Sequence, residues 1–187
     1  MSATDTLNAP QNDKATSKEW MGLLVLALPC LLIAMDMTVL HLAVPHLTAS
    51  LNPTSDQLLW IVDIYGFFIA GSLIPMGTLG DRIGRRKLLM IGAACFGAAS
   101  VLAAFANTSE MLIFARGVLG IAGATLMPST LSLIRNMFHN DKERSFAIAA
   151  WMTTFMVGTA AGPLLGGLVL SYFWWGAVFL LNVPVMV

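Results

Sequence analysis

Charge is what this sequence has least of. Lys, Arg, Asp and Glu together make up 11% of the 187 residues, against about 25% in an ordinary soluble domain. A chain this long with so few charges cannot cover a globular surface with polar groups, so lipid is the implied solvent. Ten Lys and Arg balance ten Asp and Glu, and without a basic excess nothing reads a nucleic-acid backbone. Cysteine is scarce as well. Cys30 and Cys95 sit singly inside apolar runs, have no metal-ligand spacing, and read as two buried thiols rather than a disulfide. There is no nucleophile–base set and no phosphate loop, which argues against an enzyme. A cleavable leader is also not evident. Residues 1–19 are polar, rich in Ser, Thr, Asn and Asp, and read as a short disordered tail. The apolar run after them is too long for a signal h-region and lacks a small-residue cleavage site.

What is present in quantity is apolar sequence. It amounts to 57% of the chain, with a mean hydropathy of +0.78. A helix needs about 20 mostly apolar residues to cross the hydrocarbon core. Residues 21–44, 58–79, 88–106, 111–134 and 146–170 qualify. Open sheet edges are excluded in lipid, so each is expected to be a helix. A sixth run, 172–187, is still apolar where the sequence stops. The expectation is an all-α polytopic bundle of about six crossings, interrupted in the sixth, and hence a fragment of a longer protein.

Lys and Arg in the short connections set the orientation. Lys14 and Lys18 precede the first span; Arg82, Arg85, Arg86 and Lys87 follow the second; Arg135, Lys142 and Arg144 follow the fourth. The connections 45–57, 107–110 and 171–172 contain neither residue type. The alternation predicts a cytoplasmic N-terminus in the cell (inner) membrane. Trp60, Trp174 and Trp175 fall near span ends on the other side, where an aromatic belt would lie. Asn140, with Glu143 three residues on, has the spacing of a capping box at the start of the fifth span.

Four ionisable residues fall inside the predicted spans: Asp36, His41, Asp63 and Arg116. A charge near the bilayer centre costs roughly 2.5–3.5 kcal/mol on insertion scales, so such groups usually face a cavity and carry function. At about 1.5 Å of rise per residue, Asp36 lies about 12 Å before the end of its span, and Asp63 about 8 Å past the start of its own. Arg116 falls at about the same depth as Asp63, so the three share one layer. Two readings stay open. Arg116 neutralises a carboxylate and only fixes the packing, or a carboxylate here binds a proton or a cation. In general, burial strengthens a carboxyl's hold on its proton and a neighbouring guanidinium weakens it. Asp36 is the better proton site, because Asp63 is shallow enough to sit in a wet vestibule. His41 is either interfacial or part of the titrating layer. Trp60, Tyr65 and Phe67 lie near Asp63, and Trp60 and Phe67 share its helix face. They would suit a lipophilic cation, or they simply face lipid.

Two backbone signals remain. Gly77, Gly80 and Gly84 alternate with Asp81, Arg82, Arg85 and Arg86 between the second and third spans, as a tight basic reversal would require. In the fifth span Gly158, Gly162 and Gly166 recur every fourth residue, with Pro163 and Gly167 beside them. That pattern leaves one face bare for close helix approach, and Pro163 removes a backbone hydrogen bond and can bend the helix.

These segments resemble a known family. Gly77–Arg86 looks like the loop signature of the major facilitator superfamily, and the run from Arg116 through Gly120 to Gly123 resembles its fourth-helix motif. Gly158–Gly167 resembles the fifth-helix motif of drug:proton antiporters. The first helix, from Asp36 through Thr38 and His41 to Pro45, resembles that of the fourteen-helix drug:proton antiporters. Trp60–Tyr65 and Met127–Arg135 bring the likeness to bacterial exporters of quaternary ammonium compounds and methyl viologen. His41 departs from the Asn usual at its place, and Leu119 from a frequent Gln.

The resemblance implies that this chain is the N-terminal six-helix half of a two-bundle fold with alternating access. It also implies lipophilic cationic drugs or biocides and protons as substrates, membrane lipids and a missing C-terminal bundle as partners, and no nucleic acid. No cofactor or metal is implied; a proton gradient would supply the energy. Asp36 and Asp63 would bind proton or cation, with Arg116 tuning the coupling. Asp81 and the arginines would gate the cytoplasmic side, and the glycine face of the fifth span would pack on the second bundle. A carrier of another small metabolite and an inactive truncated membrane protein are the competing expectations.

Overall fold

The computed structural model describes residues 14–186. All regular secondary structure among them is helical: α1 (Ser17–Leu51), α2 (Ser55–Ile83), α3 (Arg85–Ala104), α4 (Ser109–Met137), α5 (Asp141–Tyr172), and two single turns, α6 (Ala177–Leu180) and α7 (Val183–Met186). The five long helices are each apolar and long enough to cross a membrane.

Most helices overrun the apolar stretches that identify them, because polar caps stabilise turns beyond the hydrocarbon. The Ser17–Glu19 turn, assigned above to the polar tail, is helical: Thr16 caps α1 in a capping box with Glu19, and the Thr16 amide donates to the Glu19 carboxylate at 2.7 Å. The rest of the expected tail, residues 1–13, lies outside the described residues. Thr54 and Thr108 cap α2 and α4 by accepting from the amides of Gln57 and Met111. Asn140 caps α5 by accepting from the Lys142 and Glu143 amides, at 2.9 and 3.3 Å. Each such cap is worth about 1 kcal/mol. The Glu143 carboxylate also accepts from the Ala15 amide at 2.7 Å, tying the chain before α1 to the start of α5.

The connection between α2 and α3 is a single residue. Gly84 has φ +97°, a conformation that side chains with a Cβ rarely adopt, and it ends one helix while starting the next. The sixth apolar run is helical over Ala177–Met186 only, as two turns, α6 and α7, joined through Leu181 and Asn182 with Leu181 still in the helical region, and the Asn182 side chain at that junction is buried.

In their most apolar stretches α1 and α4 are 61% buried, whereas α2 is 11% and α5 17% buried. The bundle is therefore organised around α1 and α4, with α5 seated on α1 and α2 and α3 seated on α4. Tight approach depends on small residues. A Cβ on Gly120 would come within 2.6 Å of the Tyr65 carbonyl oxygen, and one on Gly92 within 1.8 Å of Thr125 Oγ1. The glycine face of α5 meets α1. Cβ atoms at Gly158, Gly162 and Gly166 would come within 2.4 Å of the Leu31 carbonyl oxygen, 2.0 Å of Thr38 Oγ1 and 2.4 Å of Val39 Cγ2. The expected contact of this face with a second bundle is therefore corrected: α1 occupies it.

The two ends of the bundle are distinguishable. Trp20 packs edge-on against Phe138 and Phe146, which brings the start of α1 to the α4–α5 connection. At the other end Gln57 Nε2 donates to Glu110 at 2.6 Å, and Trp174 Nε1 donates to the Ala104 carbonyl at 3.4 Å. Trp60 and Trp174 are about half exposed there, but Trp175 is buried and drops out of the expected aromatic belt. Cys30 is buried, whereas Cys95 is exposed, so the expectation of two buried thiols is corrected for Cys95.

Candidate functional site

The spacing of small residues along α4 fixes where Arg116 points. Gly120, one turn on, lets the α2 backbone come into contact at Tyr65. The guanidinium is thereby held against α2: its carbon lies 4.4 Å from the centre of the Tyr65 ring, and its Nε donates to the Ile61 carbonyl at 3.2 Å. Its Nη1 donates to Asp36 Oδ2 on α1 at 2.5 Å. Both members of this ion pair are 1% exposed. A buried pair of this kind is held by its hydrogen bonds as much as by its charges, and removing one member leaves the other charge uncompensated.

The other carboxylate oxygen has a different partner. Asn182, at the junction of α6 and α7, donates from Nδ2 to Asp36 Oδ1 at 3.2 Å and to Ser100 Oγ on α3 at 3.4 Å. Tyr65 in turn donates its hydroxyl to the Ile33 carbonyl at 3.3 Å. Arg116 of α4 and Asn182 of the sixth segment thus bind the buried Asp36 of α1 directly, with Tyr65 of α2 against the guanidinium and Ser100 of α3 against the amide. Ser100 and Asn182 were not singled out in the sequence. A serine amid alanines carries little signal, but an Asn inside an apolar run is one of the residues that membrane interiors use as glue.

Asp63 and His41 lie elsewhere. Both are exposed, and both line an open recess of about 180 Å³ whose remaining walls are Met37, Val62, Tyr65, Gly66 and Arg116. On its other flank Asp63 borders a second recess, of about 220 Å³, with Leu59, Trp60 and Phe67. The expected layer is therefore divided. Asp36 and Arg116 form a buried pair, and Asp63 stands on the open side of that pair with Arg116 between them. Tyr65, grouped above with the rings near Asp63, instead turns inward and covers the guanidinium.

The two remaining motifs lie away from this centre. Asp81 accepts from Arg85 Nη2 at 2.7 Å and from Nε at 3.1 Å, across the turn that Gly84 makes. Arg85 Nη1 is buried without a partner among the described residues, while Arg82 and Arg86 are exposed, and a Cβ at Gly77 would meet nothing. In α5, Pro163 and Gly167 lie off the face that meets α1. Pro163 has no amide for the Thr159 carbonyl one turn back, and Thr38 on α1 donates its hydroxyl to that oxygen at 3.2 Å. A side chain of α1 thus replaces the hydrogen bond that the proline removes. Among the described residues no group of three or more His, Cys, Asp or Glu could hold a metal ion.

This arrangement of helices and motifs has known counterparts. A profile described as Major Facilitator Superfamily matches residues 26–187. The chain is 51% identical over 177 residues to the multidrug efflux pump LfrA of Mycolicibacterium smegmatis, covering 95% of this chain and 35% of that protein. It is 45% identical over 169 residues to the methyl viologen resistance protein SmvA of Salmonella typhimurium, covering 90% and 34%. A crystal structure of the peptide transporter POT in complex with sulfate superposes with a TM-score of 0.77 at 20% identity, over 88% of this chain and 35% of that one; it speaks for the fold. The chain spans about a third of the length of the curated relatives it matches. With a matching profile over most of its length and a shared fold, this multi-pass membrane chain belongs to the major facilitator superfamily.

Proposed function

We propose that the complete transporter carries lipophilic cations out of the cell in exchange for protons, with Asp36 as the proton carrier and the recess at Asp63 as the cation site. The observation that carries this reading is the position of Arg116. Its guanidinium pairs with the buried Asp36 on one side and lines the open recess of Asp63 on the other. While Asp36 is ionised, Arg116 is neutralised and the negative charge of Asp63 governs the recess. Once Asp36 takes a proton, Arg116 is an uncompensated cation in the recess wall. For unit charges about 8 Å apart at an effective dielectric constant of about 20, the repulsion is roughly 2 kcal/mol. Proton and cationic substrate then exclude one another through one side chain, which is what exchange requires. The rings of Trp60 and Phe67 beside Asp63 offer apolar and cation–π contact to an aromatic cation, and the names of the two relatives above support a drug or viologen as cargo.

The proton gradient is the energy source in this scheme and no cofactor takes part. The membrane potential opposes cation export by about 2.3 kcal/mol per charge per 100 mV, so a monovalent cation needs more than one proton, or a substantial pH gradient. A negatively charged recess disfavours anionic cargo. The positive loops support a cytoplasmic N-terminus in the cell membrane, and on that reading the Asp81–Arg85 pair gates the cytoplasmic side. His41, in the same recess as Asp63, completes the cation site.

Ethidium efflux from cells carrying the complete transporter tests the reading. Asp36→Asn is expected to abolish efflux with membrane levels unchanged, and full efflux by that variant would remove Asp36 from the mechanism.

A further inference from the structure

Among the described residues Asn182 is the one buried amide in contact with Asp36, and half of it has no partner. Its Nδ2 donates to Asp36 Oδ1 and Ser100 Oγ, while its Oδ1 is buried without a hydrogen-bond partner among the described residues. Asn182 itself is 1% exposed. An unpartnered amide oxygen in an apolar interior is costly, so its presence at this place calls for a reason.

We infer that Asn182 is a positioning residue that serves both protonation states of Asp36 by rotating its side-chain amide through half a turn. An ionised carboxylate only accepts hydrogen bonds, and a carboxylic acid also donates one. An amide offers two donors on nitrogen and two acceptor lone pairs on oxygen. With Asp36 ionised, Nδ2 faces it and gives one hydrogen to Oδ1 and the other to Ser100. With a proton added at Oδ1, Nδ2 would meet an O–H head-on. Half a turn puts the amide oxygen there instead, to accept from the Asp36 O–H and from the Ser100 hydroxyl, which reverses from acceptor to donor. Every hydrogen bond is kept with its sense inverted. One amide atom is left without a partner in either orientation, so the rotation itself changes that cost little.

Among the described residues no other side chain hydrogen-bonded to Asp36 can take this role. The titratable and charged groups that face Asp36 are Arg116 from α4, a donor only, and Tyr65 from α2, whose hydroxyl is engaged by Ile33. Asp63 of α2 and His41 of α1 lie beyond Arg116 in the open recess. The titratable groups of α3 and α5 sit near their ends, except the exposed Cys95, and α6 and α7 contain none. Without Asn182 the acid would have no acceptor for its proton on the Oδ1 side, and proton uptake would strand a buried O–H.

The inference rests on Asp36 being the proton carrier, and infrared difference spectroscopy of the complete transporter separates the two claims. On acidification a carboxylic C=O band is expected that disappears in Asp36→Asn. In Asn182→Leu, or in Asn182→Met should the branched side chain not fold, the same Asp36-dependent band is expected at higher frequency, as for a carboxyl without an acceptor. Asn182→Gln is expected to return it toward the wild-type position. An Asp36-dependent band at the wild-type frequency in a folded apolar variant overturns the inference and leaves Asp36 as carrier, because an asparagine that only donates to the carboxylate would give that result. A wild-type protein without any Asp36-dependent band overturns the proposed function and this inference together.

Discussion

Arg116 carries a full charge at 1% exposure and reaches it through four contacts: the Asp36 carboxylate, the Ile61 carbonyl, and the rings of Tyr65 at 4.4 Å and Phe179 at 6.0 Å. Removing one member of such a pair typically costs 3–5 kcal/mol, whereas replacing both with apolar residues is often neutral. Arg116→Leu is therefore expected to lower the melting temperature of the detergent-solubilised transporter markedly. The double variant Asp36→Leu with Arg116→Leu should recover much of that loss without recovering transport. A double variant as unstable as the single one would show that the pair is held by more than charge. Asp63 differs because it is exposed and forms no hydrogen bond or ion pair among the described residues. Asp63→Asn should leave the melting temperature unchanged and raise KM for ethidium about tenfold, equivalent to roughly 1.4 kcal/mol; an unchanged KM would take Asp63 out of the cation site. The chemistry of these residues was legible in the sequence because ionisable groups in an apolar run are costly. Their division into a buried pair and an open carboxylate was not, since it depends on which way Tyr65 and Arg116 turn between helices. Asn182 and Ser100 were hidden for a related reason: their contacts with each other and with Asp36 join positions 82 and 146 residues apart.

At the scale of elements the α1–α5 contact is a close seam over three turns, with backbone meeting backbone at Gly158 and a hydroxyl lodged at Gly162. The four-residue glycine repeat showed that some helix must approach closely. Its partner, expected in a second bundle, is α1; the repeat alone could not name it, because a bare face is complementary to any smooth helix, and the Leu31, Met35 and Val39 stripe of α1 looks like any other apolar stripe. Thr38 completes the seam by donating to the Thr159 carbonyl that Pro163 leaves free, while also lying 3.1 Å from the Met35 carbonyl of its own helix. Two substitutions separate packing from bonding. Gly162→Ala places a methyl where Thr38 Oγ1 now sits at 2.0 Å, and overpacking of this kind typically costs about 1–3 kcal/mol. Thr38→Val keeps the branched shape and loses the hydroxyl, with its contacts to the Thr159 carbonyl across the seam and the Met35 carbonyl of its own helix; an interhelical hydrogen bond is worth about 0.6 kcal/mol on average in membrane proteins. The alanine variant is expected to lower the melting temperature clearly and the valine variant only slightly. An equal effect of the two would mean that the hydrogen bond, rather than the close approach, holds α5 to α1.

Over the whole molecule the same spacing that limits the span count also fixes which ends meet. Helices joined by connections of a few residues must run antiparallel, and the α2–α3 link of Gly84 alone is the extreme case. Trp20 against Phe138 and the Ala15–Glu143 hydrogen bond put the start of α1 beside the α4–α5 turn. By continuity Arg82, Arg85, Arg86 and Lys87 reach the same end, because α2 starts at the opposite one, where Gln57 meets Glu110. All the basic connections therefore share one end of the bundle, and Asp63, Trp60 and the open recess lie toward the other. Lys and Arg resist translocation, so the basic end is expected in the cytoplasm. This follows from geometry and charge together, and it can be read by labelling. After replacement of Cys30 and Cys95, Asn107→Cys in the α3–α4 connection should react with a membrane-impermeant maleimide in intact spheroplasts. His139→Cys in the α4–α5 connection should react only after permeabilisation. The reverse pattern would turn the bundle over, put the recess of Asp63 on the cytoplasmic side, and require protons to reach Asp36 from within the cell.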